Sequence, residues 1–159
     1  MAKHREIPLG NGRGVALVDE CDYELVSKYH WVLHSAGYVN ASVPRKNGRR
    51  GNPIYMHRLI LGATKGQVVD HINHDPLDNR RANIRFCTHS QNHANTPRAR
   101  NNTSGYKGVS LAGRRWKAYI NVNRRRHILG SFPTADAAAR AYDGAARAYF
   151  GEYALVNFQ

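Results

Sequence analysis

The sequence predicts an α+β chain of two modules, the second a three-stranded antiparallel sheet packed on one helix. Three observations predict it. Short β-branched or aromatic runs alternate with turn signals through the first half of the chain and again near its end. One alanine-rich stretch, "TADAAARAYDGAARAYFG", has helical spacing and follows the last of those runs. Between the two sets lies "NTPRARNNTSG", polar with Pro and Gly, which reads as a linker. The expected division is a first domain over 1–96 (strands within 1–56, a functional core over 57–96), a linker over 97–104 and a second domain over 105–159.

The elements follow in order. "IPLGNGRGVALVD" predicts two short strands joined by a glycine-rich turn. "DYELVSKYHWVL" can form a short helix with Leu25, Val26 and Tyr29 inward. "GYVNASV" and "NPIYMH" read as strands around "RKNGRR", where Asn47-Gly48 is a hairpin signal. "HRLILG" begins a helical turn that Gly62 closes. In "THSQ" Thr88 is an N-cap and Gln91 its capping-box partner, opening a helix from about His89 to Asn95 that Pro97 ends. "YKGVSL", "RWKAYINV" and "HILGSF" predict three strands. Thr134 caps the final helix, Asp136 sits in its first turn and Gly151 stops it. Its expected inward stripe is Ala138, Ala141, Tyr142, Ala145 and Tyr149.

Composition narrows the function. With 159 residues and 42% hydrophobic content a packed core is expected. A net charge of +13 calls for a polyanionic partner, nucleic acid first. A membrane surface is a weaker second, because no basic amphipathic helix has a bulky apolar face. No run of about 18 apolar residues predicts a membrane span, and "MAKHREIPLG" lacks the apolar region of a signal peptide. Cys21 and Cys87 stand far apart and in no CxxC pair, which suits a reducing cytoplasm.

Chemistry concentrates in "VDHINHDPLDNRRANIRFCTHSQN", where three histidines, four asparagines and three aspartates crowd into 24 residues. Such side chains compete with the backbone for hydrogen bonds, so they make poor element interiors but good ligands and loop-fixers. Asp70 and His71 are adjacent and, in an extended backbone, point to opposite sides. A strand pair folded onto the capped helix would bring Asp70 to Asn92, two oxygen donors of the kind hydrated Mg²⁺ accepts. A neutral His71 could take a proton from water near pH 7. The alternative is that Asp70, Asn83 and Asn92 are only turn and capping residues.

"VVDHINHDPLDNRRANIRFCTHSQNHAN" resembles the HNH endonuclease motif, the ββα-metal fold of phage and intron homing endonucleases. "MHRLILG" and "VALVDECDYELVSKYHW" are similar to phage proteins of that kind, so the resemblance covers roughly residues 5–96. It implies Asp70 and Asn92 as metal ligands, His71 as general base and Asn83 as the residue tying the loop behind His71. The last ligand position holds Asn92 where the family often has His. One divalent metal per site is implied, Mg²⁺ ahead of Mn²⁺ and Zn²⁺. His57, His74, His89 and His93 are accessory candidates against the plainer reading of solvated or structural histidines. His89 and His93 lie four apart, a spacing zinc sites use, with Cys87 near, but no second cysteine pair joins them.

In the C-terminal half, Trp116, Ala118, Ile120 and Val122 share one parity, and Arg115, Lys117, Tyr119 and Asn121 the other. One face is apolar; the other is basic. From Arg98 to Arg126, both included, there are nine Lys or Arg and no Asp or Glu. Such a sheet can enter a DNA groove. "GYKGVS", "RWKAYI", "LGSFPTADAAARAYDGAARAYFG" and "VNF" resemble the plant Apetala-two/ethylene-response-factor (AP-two/ERF) DNA-binding domain over about Ser104 to Phe158. That likeness, with the basic turns, puts the DNA contacts on Lys107, Ser110, Arg114, Arg115, Lys117, Tyr119, Asn121, Arg124, Arg126 and Ile128. Trp116 is assigned to the core.

Together these imply a phage- or prophage-borne endonuclease of the bacterial host cytoplasm. It would cut double-stranded DNA as a monomer or weak dimer, with no obligate protein partner, and its sheet would choose the site. The rival readings are a non-catalytic DNA-binding regulator with a degenerate nuclease half, and an RNA-binding module.

Overall fold

The computed structural model describes residues 3–35, 37–43 and 51–158. The chain is mixed α and β, with several small sheets. It divides into two compact units, Met1–Phe86 and Cys87–Gln159.

In the first unit, β1 (His4–Pro8) pairs antiparallel with β2 (Val15–Asp19), from His4 opposite Asp19 to Pro8 opposite Val15. The glycine-rich turn forms as expected. Leu9 N–H donates to Gly14 at 3.1 Å, and Gly10 lies so close to the His30 ring that a Cβ there would stand 2.0 Å from its Nε2. A 3-10 turn over Glu20–Asp22 leads into α1 (Tyr23–Val26). This helix is shorter than the sequence suggested. The Trp31 indole donates to the Val26 carbonyl at 2.8 Å and ends it, and Val32–Leu33 leaves as strand β3. Val26 is buried and Tyr29 packs at the core edge, while Leu25 is only half-buried.

The sheet β3, β4 (Val39–Ala41) and β5 (Ile54–Tyr55) is antiparallel in that order. The proposed Asn47-Gly48 turn lies outside the described residues. α2 (Met56–Ile60) follows, and Gly62 takes the positive φ of 63° expected after a helix end. β6 (Val68–His71) pairs with β7 (Ile84–Cys87). Val18, Val26, Trp31, Val39 and Met56 are almost wholly buried and form the centre of one core. Each such side chain contributes about 1.5–3 kcal/mol by leaving water.

In the second unit, α3 spans His89–Asn95 behind the full capping box: Thr88 accepts from the Gln91 amide, and the Gln91 side chain accepts from the Thr88 amide. β8 (Val109–Ala112), β9 (Arg115–Val122) and β10 (Arg125–Phe132) form an antiparallel sheet in the order β10-β9-β8. The pairing register shifts between Ile128 and Gly130. α4 (Ala135–Phe150) is capped by Thr134 and closed by Gly151.

The inward stripe of α4 differs from the expected one. Ala138, Ala139, Tyr142, Ala146 and Phe150 are buried, whereas Tyr149 is 52% exposed. From Tyr142 the helix could continue inward through 145 and 149 or through 146 and 150. Phe150 and Ala146 join Ile120 and Tyr142 in the core, which selects the second row. Trp116 packs beside Val109, Ala118, Ala138 and Ala139. Among the described residues no helix is long and apolar enough to cross a membrane.

Candidate functional site

Val68 and Val69 suit a strand, and at its end Asp70 and His71 are both buried. The loop that follows folds through local side-chain turns. Asn73 Oδ1 accepts from the Asp75 amide at 2.8 Å and Asp75 Oδ1 from the Leu77 amide at 2.9 Å. His74 sits at the bend with φ 63°, exposed.

The loop is then stitched to β2. Leu17 N–H donates to the Leu77 carbonyl, and Asn79 N–H to the Leu17 carbonyl, each at 2.8 Å. The Arg81 amide donates to Asp19 at 2.7 Å, and its guanidinium grips the buried Asp22 carboxylate through two bonds of 2.8 and 2.7 Å. The N-terminal hairpin is thus the scaffold of the loop.

That scaffold fixes Asn79, which is wholly buried. Its Nδ2 donates to the Pro76 carbonyl at 3.0 Å and to the Leu77 carbonyl at 3.2 Å. Its Oδ1 therefore faces His71 Nε2, 3.3 Å away. An amide oxygen only accepts, so Nε2 carries the proton and Nδ1 the ring lone pair. Burial pulls the His71 pKa below its ordinary value, opposed by the Asn79 bond and by Asp70, so the ring is neutral near pH 7.

His57 stands edge-on to His71, with ring centroids 4.9 Å apart. Tyr38 and Tyr55 complete an aromatic wall at 5.6 and 6.0 Å from His57. Burial, then the neighbouring His71 and Arg58, pushes the His57 pKa down to about 3. Its buried Nδ1 has no hydrogen-bond partner among the described residues.

Asn83 bridges two points of the loop. Its Oδ1 accepts from the Asn73 amide at 3.0 Å, and its Nδ2 donates to the Asp78 carbonyl at 2.7 Å. Asp78, itself buried, holds Arg80 through two bonds of 2.7 Å, which keep its carboxyl below the usual range. The Asp70 carboxylate pairs with the largely buried Arg85 guanidinium at 3.3 Å.

In the second unit, α3 carries Asn92, half-buried, with His89 and His93 exposed. The two histidines border an open cleft of about 730 Å³ together with Asn121, Asn123 and Arg124. Among the described residues no three His, Cys, Asp or Glu side chains gather as a metal-holding group. The Lys107 ammonium lies against the carbonyls at the end of α3 rather than on the outer sheet face.

Strand register sets that outer face. Lys117 pairs with Ser110 and Ser131, Tyr119 with Ile128, and Asn121 with Arg126, and paired residues share a side. Ser110, Arg115, Lys117, Tyr119, Asn121, Arg126 and Ile128 thus form one surface. Arg126 stacks over Tyr119 at 4.3 Å, Arg115 donates to the Ser131 carbonyl at 2.7 Å, and Ile128 is 65% exposed. Arg114 and Arg124 lie in the turns flanking β9, Arg124 with φ 66°.

Sequence reasoning passed over Asn79, Arg85, Tyr38 and Tyr55. A signal for Arg85 existed: it takes the face opposite Ile84 on the strand that pairs with the one bearing Asp70. For Asn79 none existed, since the stretch offers several asparagines in turn-forming surroundings.

Known proteins resemble the chain in both halves. Residues 55–94 match the family described as HNH endonuclease. An uncharacterised HNH endonuclease of Acanthamoeba polyphaga mimivirus is 33% identical over 153 residues, covering 94% of this chain and 78% of that protein. Protein 3.8 of Escherichia phage T7 is 30% identical over 80 residues, 49% of this chain and 66% of that one. An ethylene-responsive transcription factor of Arabidopsis thaliana is 49% identical over 59 residues, 35% of this chain and 23% of the plant protein.

Proposed function

The chain belongs to the HNH endonuclease family, and on that premise we propose that it hydrolyses phosphodiester bonds of double-stranded DNA at a ββα-metal site, directed by its sheet module. The observation that carries the reading is His71: buried, neutral, next to Asp70, and held by Asn79 so that Nδ1 bears the lone pair. His71 Nδ1 takes a proton from a water. The water oxygen bonds to phosphorus as the ester P–O bond breaks, and the leaving oxygen is protonated from solvent. Asn83 keeps the loop closed behind His71 through its two backbone bonds.

Asp70 on β6 and Asn92 on α3 are the proposed metal ligands. Their chemistry fits: one carboxylate and one amide oxygen are hard donors, which Mg²⁺ takes while keeping water and phosphate in its other positions. Mg²⁺ is the expected ion, with Mn²⁺ as a substitute. When bound, a divalent ion supplies positive charge for the phosphate and the leaving oxygen.

Residues 1–96 are the proposed cleavage part and 105–159 the proposed reader, joined by 97–104. Ser110, Arg115, Lys117, Tyr119, Asn121, Arg126 and Ile128, with the turn residues Arg114 and Arg124, form the DNA face. Arginines there can read base edges, while lysine mainly neutralises phosphate.

A plasmid assay with Mg²⁺ or Mn²⁺ tests the reading. The chain should nick or cut, and His71→Ala should not. An inert wild type would leave a DNA-binding protein without catalysis.

A further inference from the structure

Lys107 looks at first like a DNA contact, because it opens the basic sheet. Its side chain goes elsewhere. Nζ donates to the carbonyls of His93 at 3.4 Å, Thr96 at 2.6 Å and Ala94. They lie at the end of α3, where carbonyls run short of helical partners; the His93 carbonyl also accepts from the Thr96 amide at 3.2 Å. The ammonium is half-buried there, and burial brings its pKa to about 8.

Its backbone has no slack. The Lys107 amide donates to Asn157 Oδ1 at 2.7 Å, and its carbonyl accepts from Asn157 Nδ2 at 3.2 Å. Asn157 is held in turn by the buried Asp143, at 2.8 and 2.9 Å. The next residue is Gly108 at φ 72°, where a Cβ would stand 2.0 Å from the Tyr142 ring.

α3 is fastened at its other points too. The Asn123 amide donates to Ser90 Oγ at 3.1 Å, and the Leu155 amide to the Ala94 carbonyl at 3.2 Å. Ala94 is buried with Ile120, Tyr142, Ala146 and Phe150. The helix is therefore part of the same packed body as the sheet, although it precedes the linker in sequence.

We propose that Lys107 is a positioning residue for cleavage: it latches α3, and with it Asn92, to the DNA-reading sheet. The claim rests on the reading of Asn92 as a metal ligand. A ligand helix built into the reader holds Asn92 at a fixed place whenever the sheet is engaged.

The test uses the full chain and two variants. Lys107→Met keeps the stem and removes the donor. Ser90→Ala loosens the other end of α3 without touching charge. DNA affinity and its salt dependence are measured without divalent metal. Single-turnover cleavage is measured at saturating DNA across Mg²⁺ concentrations. Hydrogen exchange is followed over 88–96.

Lys107→Met should bind DNA within about twofold of wild type with an unchanged salt slope, since no phosphate contact is lost. Its cleavage rate should fall about tenfold or more and need more Mg²⁺, because small misplacements of reacting groups carry such penalties. Exchange across α3 should quicken. Lys107→Arg, which can reach the same carbonyls, should recover part of the rate. Ser90→Ala should show the same split, more weakly.

The proposal is overturned if Lys107→Met lowers the salt slope by about 0.9, the value of one phosphate contact. Unchanged cleavage and metal demand would also overturn it. If wild type does not cleave at all, the proposed function fails instead, and the exchange data alone decide the latch: unchanged exchange in Lys107→Met refutes it.

Discussion

Asn79 presents its side-chain oxygen, not its nitrogen, to His71 Nε2 at 3.3 Å, because the Pro76 and Leu77 carbonyls already engage the nitrogen. One amide thereby sets the tautomer of the proposed base, and its own orientation is set by a backbone stitched to Leu17.

Asn79→Ala should slow cleavage about 10²-fold while DNA affinity stays within experimental scatter, since the base loses its fixed orientation. It should also cost about 1–3 kcal/mol of stability, because the change strips hydrogen bonds from a buried loop. Urea unfolding beside single-turnover kinetics separates the two effects. Equal rates in variant and wild type would remove Asn79 from the mechanism.

His57 gives a dependence of stability on pH. Its folded pKa of about 3 lies below its ordinary value, so the unfolded chain binds a proton that the folded chain refuses. Stability is full above about pH 6.5 and falls as the pH drops toward the folded value, at up to about 1.4 kcal/mol per pH unit. His71, shifted in the same direction, adds to the slope. Urea midpoints from pH 7 to 5 should decline in wild type and decline less steeply in His57→Phe, where His71 alone keeps a slope. Parallel curves would show that His57 is not held neutral.

Arg81→Ala should destabilise the first unit by about 2 kcal/mol, because it leaves the carboxylate of Asp22 buried without its two donors. Cleavage should fall with it, since the Arg81 side chain ties the site loop to Asp22 and, at 3.0 Å, to the Ile60 carbonyl. Asp22→Asn, which removes the charge along with part of the pairing, should be the milder change in chemical denaturation. The reverse order would mean that Asp22 is solvated well enough to stand alone.

On the sheet, Lys117→Ala should reduce the salt slope of DNA binding by about 0.9 with little change in sequence preference, as expected for one lost phosphate contact. Arg126→Ala should instead weaken the preferred sequence more than others, since its guanidinium lies over the Tyr119 ring at 4.3 Å on the proposed reading face. Binding titrations on preferred and random duplexes at several salt concentrations distinguish them. Identical losses on both duplexes for Arg126→Ala would make it a phosphate contact.

Much of this molecule is written locally. The capping box of Thr88 and Gln91, the Thr134 cap, the glycine-rich turn between β1 and β2, and the alternation of Arg115, Lys117, Tyr119 and Asn121 with core residues depend on neighbours a few positions away. Strand and helix periods make those relations visible in a string of letters. The same holds for the Asp70-His71 pair, whose adjacency is itself the signal.

Only the tertiary structure decided the rest. Asn73, Asn79, Asn83 and Asn92 are chemically alike in sequence. Which one faces His71 depends on Leu17, more than fifty positions away, holding the loop. The α4 face was settled between two helically equivalent rows by what the sheet left room for, so Phe150 went in and Tyr149 stayed out. Lys107, whose charge suggested the DNA face, was drawn to the carbonyls ending α3. A side chain's type and spacing tell what it can bond. Its partner is whatever the long-range packing brings within about 3 Å, and buried polar groups bind the partner that is there.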